Sequence, residues 1–290
     1  SASIFLTKSQ KLYQEIYSQI SLHREYGGVV PELASRSHLE KMYGVIELVL
    51  DQASLRLSDI GLIAYTRGPG LVGPLLTGCS YAHALALSLN IPIIPIHHLE
   101  AHITIALFEF SALDFPFLAL LVSGGHTELI LAKDLGQYEV LGATMDDACG
   151  EAFDKCGKLM GLDYPAGPEL SKMADSYQEQ QIYPKLPTPL KGRKTLDFSF
   201  SGLKTAFVKA WQDEKSQYLP EAFAHSLQST IVQSLLSNVK RALNLYPQYP
   251  LVVAGGVACN QTLRSKLKDL CCQMNRQVYF PHPKYCTDNA

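Results

Sequence analysis

"FPFLALLVSGGHTELILA" (residues 115–132) is the stretch on which the fold turns. Two apolar runs of strand length flank Ser123-Gly124-Gly125, so the spacing predicts a strand, a glycine turn and a second strand. Further on, "YPLVVAGGVACNQTLRSKLKDL" (249–270) predicts a buried strand, a glycine turn and a helix with Leu263, Leu267 and Leu270 on one face. Upstream, "IGLIAYTRGPGLVG" (60–73) leads into the helical pattern "PLLTGCSYAHALALSL". Apolar runs bounded by glycine and alternating with helices predict an α/β architecture with largely buried sheets. The likeness of "FLALLVSGG" to "PLVVAGG" suggests an internal duplication of a βα unit. Between 146 and 215, helical patterns surround the Pro- and Lys-rich "YPKLPTPLKGRK", which reads as a helical insertion with a surface loop.

A chain of 290 residues is long enough for one large domain or two smaller ones with real cores. Hydrophobic residues at 47% and charged residues at 18% argue against disorder. The net charge of −2 offers no basic field for nucleic acid, so any such contact must be local or shared with a partner. In "KLPTPLKGRK" four cations in ten residues read first as solvated loop charge and second as a phosphate-backbone contact. We expect no membrane span, because Ser88, Asn90 and two prolines break "ALALSLNIPIIPI", and no basic leader of the secretory kind. Seven cysteines without C-x-x-C spacing fit free thiols better than a disulfide framework. The expected setting is cytoplasmic, with a processed organellar form equally compatible.

Glycine pairs after strands let a backbone approach a ligand and turn N–H groups toward an anion. Ser123, Gly124 and Gly125 occupy one such point; Gly255 and Gly256 occupy another, expected at the N-terminus of the following helix. One such turn alone is better read as structural, but two of similar form point to a nucleotide or phosphate site. Neither has the P-loop or the dinucleotide-fold spacing. In "HHLEAH" (97–102), His98 and His102 lie four apart and would share a helix face, either as a packed accident or as a metal pair. Glu100 stands one place too late to be the base of an H-E-x-x-H protease. Two imidazoles need a third ligand, for which Asp288 in "YCTDNA" is a candidate, although it could equally cap a helix. In "EAFDKCGKLMG", Glu151, Asp154, Lys155 and Lys158 read by themselves as an exposed helix with a Glu151–Lys155 pair. "LDFSFSGLKTAF" (196–207), alternating apolar and small polar residues, reads as structural.

Taken in order, "HREYGGVVPELASRSHL", "YTRGPGLVGPLLTG", "IPIHHLEAH", "LVSGGHTELI", "GEAFDKCGKLMGLDYPAGP", "DFSFSGLKTAF", "VVAGGVACNQTLR" and "YCTDNA" resemble the TsaD (Gcp/Qri7) family. Its members are tRNA N6-adenosine threonylcarbamoyltransferases built on the actin/Hsp70/sugar-kinase fold. The resemblance implies two α/β lobes around a nucleotide cleft. The first, 1–106, would be incomplete at its N-terminal strand and lack its C-terminal return helix; the second, 107–290, would carry the helical insertion at about 146–215. It further implies transfer of threonylcarbamoyl from threonylcarbamoyl-adenylate to N6 of the adenosine beside the anticodon in tRNAs reading ANN codons, with release of AMP. On the same grounds His98, His102 and Asp288 would bind one divalent metal, Fe2+ first, with Zn2+ or Mg2+ as alternatives. Leu121, Val122, Ser123, Gly124 and Gly125 resemble the family's phosphate loop, while Asp154, Gly167 and Asn260 match positions contacting the ribose and adenine side. No side-chain nucleophile is implied. The implied partners are tRNA, a TsaB-like paralogue and a TsaE-like ATPase. Two other readings stand beside this one: a metallopeptidase, and a nucleotide-binding scaffold without activity.

Overall fold

The computed structural model describes residues 1–177 and 182–286. They form two compact units, Ser1–Ala101 and one beginning at His102. In the first unit, β1 (Ala2–Leu6) and β2 (Lys11–Glu15) make an antiparallel hairpin in the register Ala2↔Glu15 to Leu6↔Lys11. A short helix, α1 (Ile20–Arg24), precedes α2 (Pro31–Ala53). Pro31 suits the first helical position because its missing N–H would have no partner there, and Ser54 ends α2 in the left-handed region at φ 55°. Then β3 (Ile63–Gly68), α3 (Val72–Leu89) and β4 (Ile93–His97) build a βαβ unit with parallel strands, Ile63 opposite Ile93.

α3 bears on one expectation, that of no membrane span. Its 18 residues have a mean hydropathy of 1.2, long and apolar enough to cross a membrane by length and composition alone. Its place argues for another role: it is the crossover between two parallel strands, packed against α2 and β3. Val72, Leu76 and Leu87 on its outer side are exposed.

The second unit holds a five-stranded sheet in the order β7-β6-β5-β8-β9. β5 (Phe117–Val122) is the central strand and fully buried along its length. On one side β6 (Thr127–Asp134) and β7 (Gln137–Ala143) continue as an antiparallel meander; on the other, β8 (Leu251–Ala254) and β9 (Val278–Tyr279) run parallel to it. A strand without one polar residue fits only such a covered position. The helices are α4 (His98–Glu109), within which the division between the units falls, α5 (Cys149–Leu159), α6 (Gly167–Ser176), α7 (Ser201–Glu214), α8 (Pro220–Leu245), α9 (Gln261–Gln273) and α10 (Pro283–Cys286).

α8 lies in the core, with Phe223, Leu227, Ile231, Leu235 and Leu243 all fully buried against Leu118, Leu120, Phe198, Phe200 and Phe207. Leu263 and Leu267 of α9 are buried as the apolar spacing predicts, and Leu270 packs against the same core. The duplication suggested by "FLALLVSGG" and "PLVVAGG" stops at the turns: β5 continues into an antiparallel strand, β8 into a helix. "LDFSFSGLKTAF" forms no full strand. Phe198 makes one bridge to Thr144, and Ser201 then starts α7.

Phe223 packs edge-on against Phe207, Trp211 and Tyr218 at centroid distances of 6.0, 5.0 and 6.0 Å. Phe223→Ala should therefore lower the unfolding free energy by about 3–5 kcal/mol, read from urea denaturation.

Candidate functional site

β5 and β8 are parallel neighbours, with Leu121 opposite Ala254, so the glycine turns that follow them emerge side by side at the carboxyl edge of the sheet. Ligands of open α/β sheets collect at that edge. In the first turn the Ser123 hydroxyl accepts the N–H groups of Gly125 (3.3 Å) and His126 (3.1 Å), while the Ser123 N–H donates to the His126 carbonyl (2.8 Å). A Cβ on Gly124 or Gly125 would meet nothing within 4 Å, so both glycines face open space. Gly255 is constrained instead: its φ is +92°, and a Cβ there would run into the Val122 carbonyl. The second turn also differs from expectation. A 3-10 turn, Gly256–Cys259, begins at the second glycine of the pair and stands before α9, and Asn260 rather than a glycine caps that helix.

Contacts carry on from these turns without a break. A Cβ on Gly150, in the first turn of α5, would stand 2.5 Å from the Ser123 carbonyl and 2.8 Å from Gly124 Cα, so α5 is pressed onto the first glycine turn. Ala148 gives it no side-chain cap of its own, and its first N–H, that of Cys149, donates to the Thr127 hydroxyl (2.9 Å), which ties the start of α5 to the strand after the turn. One turn along α5, Asp154 Oδ1 accepts the N–H groups of Ala166 (2.9 Å) and Gly167 (3.1 Å) where α6 begins. Burial pushes the Asp154 carboxyl above its ordinary value despite those two bonds, with Glu151 adding to the rise. On α6, Ser171 accepts from Asn260 Nδ2 (2.9 Å), which also donates to Gln228 Oε1 (2.7 Å). Asn260 Oδ1 accepts the Leu263 N–H (2.8 Å) as the cap of α9. Leu121–Gly125, Asp154, Gly167 and Asn260 thus belong to one connected structure.

Gly150, Ser171 and Gln228 complete that set and escaped the reading of the sequence. Gln228 left one usable signal, a carboxamide in the middle of an apolar helix stripe between Leu227 and Ile231. Asp154, expected among exposed charges, is half-buried and faces α6. The Glu151–Lys155 pair exists (2.5 Å) but belongs to a larger cluster in which Asp147 also binds Lys155 (3.2 Å) and Lys204 (2.6 Å). "DFSFSGLK" serves this cluster too. Ser199 and Ser201 hydroxyls and the Phe200 and Ser201 N–H groups all donate to Asp146 at 2.5–3.2 Å.

His98 and His102 lie one turn apart on α4, His98 half-buried and His102 buried, with Glu100 between them in sequence. Asp288 lies outside the described residues, and among the described residues no group of three or more His, Cys, Asp or Glu could hold a metal ion. Two imidazoles with a carboxylate are a donor set suited to Fe2+ or Zn2+ and poorly suited to Mg2+. All seven cysteines are free thiols. A hydrogen bond from Cys286 brings Cys259 down to about 7 against the opposing effect of burial, with Arg264 assisting.

A family model described as "TsaD: tRNA N6-adenosine threonylcarbamoyltransferase" matches residues 10–290. The chain belongs to the TsaD family, a transferase family of tRNA modification. Among solved structures it is similar to full-length HypF in a phosphate- and nucleotide-bound form, at a TM-score of 0.60 and 14% identity over 84% of this chain and 40% of that one. It is also similar to T. kodakarensis HypF, at a TM-score of 0.58 and 12% identity over 81% of this chain and 40% of the other. At such identities the likeness establishes the fold, of the two-lobed actin/Hsp70/sugar-kinase type. This chain matches about 40% of the length of either HypF chain.

Gly150→Ala should cost about 1–3 kcal/mol in urea denaturation, since backbone rather than a flexible side-chain end must yield. Asp147 gives a pH-dependent prediction. Burial alone would raise its carboxyl, but hydrogen bonds from Lys204 and Lys155 hold it below the ordinary 3.8. A depressed folded value means stability present above the unfolded value and lost as pH falls through the folded one. The stability difference between wild type and Asp147→Asn should therefore be present at neutral pH and shrink as pH drops below about 3.8, followed by urea midpoints across that range.

Proposed function

We propose that the chain transfers the threonylcarbamoyl group from threonylcarbamoyl-adenylate to N6 of the adenosine beside the anticodon in tRNAs reading ANN codons, releasing AMP. The observation that carries this reading is the unbroken run of contacts from the Ser123–Gly125 turn through Gly150, Asp154 and Gly167 to Asn260 and the Gly255 turn. It supplies what an adenylate requires. The Gly124 amide of the exposed first turn, beside the start of α5, would take the phosphate. Asp154 Oδ2, to which no described residue donates, would accept a ribose hydroxyl. HypF, of the same fold type, is described in a phosphate- and nucleotide-bound form, which favours the same use here.

In the reaction the N6 amine attacks the carbamoyl carbon, the bond from that carbon to the phosphate oxygen breaks, and AMP leaves with the electron pair while the amine proton passes to solvent. The turn amide that holds the phosphate also stabilises it as a leaving group. His98, His102 and Asp288 would hold one divalent ion, Fe2+ first and Zn2+ next, which when bound would polarise the carbamoyl carbonyl. The chain's modest charge of −2 suits action in an assembly, and we assign it a TsaB-like paralogue and a TsaE-like ATPase as partners with tRNA as acceptor, in the cytoplasm. Lobes at 1–106 and 107–290 belong to the same reading.

With both partners, labelled threonylcarbamoyl-adenylate and unmodified tRNA, label should enter tRNA, and His98→Ala or Asp154→Asn should lower the rate by about 10²-fold or more. Peptide hydrolysis that depends on His98, with no label in tRNA, would overturn the proposal in favour of a peptidase. Nucleotide binding without transfer under any partner set would leave only a scaffold.

A further inference from the structure

Gln228 is a deeply buried polar side chain of the candidate site, with 2% of its surface exposed, and no step of the proposed reaction uses it. Its carboxamide has a partner at each end. Nε2 donates to Asp175 Oδ1 (2.7 Å) and Thr262 Oγ1 (3.1 Å), and Oε1 accepts from Asn260 Nδ2 (2.7 Å). Thr262 itself donates to Asp175 Oδ1 (2.8 Å).

Donor and acceptor logic fixes the direction of this chain from both sides. An ionised carboxylate only accepts, so Asp175 requires Gln228 to turn its NH2 outward and its carbonyl toward Asn260. At the other end the Leu263 N–H only donates, so Asn260 must present Oδ1 to it and Nδ2 to Gln228. Both conditions give one arrangement. Gln228 and Ser171 take both Nδ2 hydrogens, which leaves the second lone pair of Oδ1 as the remaining hydrogen-bonding capacity of Asn260.

We infer that Gln228, oriented by Asp175, is a positioning residue that holds Asn260 with its carbonyl oxygen presented as an acceptor to a hydroxyl of the bound nucleoside. This rests on the nucleotide reading of the site given above. Asp175 is exposed, so the orienting charge sits at the surface and acts through one buried amide. Loss of the Gln228 carboxamide frees one Nδ2 hydrogen and leaves the Asn260 amide held by Leu263 and Ser171 alone, so that its plane can swing and its second lone pair is no longer aimed at one place.

The test is AMP binding to the full chain by titration calorimetry, with melting temperature followed in parallel. Asn260→Ala and Gln228→Leu should each weaken AMP about five- to tenfold, the range expected from one misdirected hydrogen bond, and Asp175→Asn about threefold. In the Asn260→Ala background, Gln228→Leu should change AMP affinity no further while still lowering the melting temperature, a separation that a purely structural role would not produce. Wild-type affinity in Gln228→Leu, or an undiminished second loss in the double variant, would overturn the inference and leave the nucleotide reading intact. If wild type fails to bind AMP, or Asn260→Ala binds it as wild type does, the nucleotide reading falls and the inference with it. Should Gln228→Leu not fold, Asp175→Asn carries the same comparison from the exposed end, and unchanged affinity there overturns it.

Discussion

The close approach of Gly255 to the Val122 carbonyl is the contact on which the second unit is organised. β5 and β8 pair in parallel up to Leu121 and Ala254, and beyond that point two chains must leave the sheet through the space of one. Only a residue without Cβ and free to adopt φ +92° can follow Ala254 there. A second close approach, Gly150 against Ser123 and Gly124, seats α5 on the first turn. Between them, these two glycines bring both glycine turns and the start of a helix to one edge.

Polar contacts then extend that edge sideways. Asp154 fastens α5 to the start of α6, Ser171 joins α6 to Asn260, and Gln228 joins Asn260 to α8. Asp154 makes two hydrogen bonds there and the other joins make one each, a bond being worth on the order of 1 kcal/mol net. Their greater effect is directional. A buried amide left without its partner costs more than the bond contributes, so the network tolerates one arrangement of donors and acceptors and excludes others. Order of this kind is what a site for a polar, many-armed ligand such as a nucleotide needs, since the protein groups must already point correctly before the ligand arrives.

The ionic cluster of Asp146, Asp147, Lys155 and Lys204 has a different part. It ties the loop before α5 to the start of α7, two segments separated by more than fifty residues, and so braces the helix that bears Asp154. Ser199 and Ser201 contribute their hydroxyls to Asp146, which explains why small polar residues alternate with Phe198 and Phe200: the rings enter the core while the hydroxyls meet the carboxylate.

Local pattern was enough to read β5, the turn at Ser123–Gly125, β6, β8 and the apolar face of α9, because strand and helix periods and glycine punctuation are properties of consecutive residues. The i,i+4 spacing of His98 and His102 was legible for the same reason. Local pattern by itself reads Asp154 as an exposed charge and the second glycine pair as a helix start, since neither the start of α6 nor the 3-10 turn leaves a periodic trace at those positions. Ser171 and Gln228 lie 89 and 32 residues from Asn260 along the chain, and Asp175 lies 53 from Gln228. Consecutive residues carried the central strands, the first glycine turn and the family resemblance. Which polar groups meet was decided only in the tertiary structure, because a hydrogen bond between distant segments depends on how helices pack and leaves no mark in the spacing of neighbours.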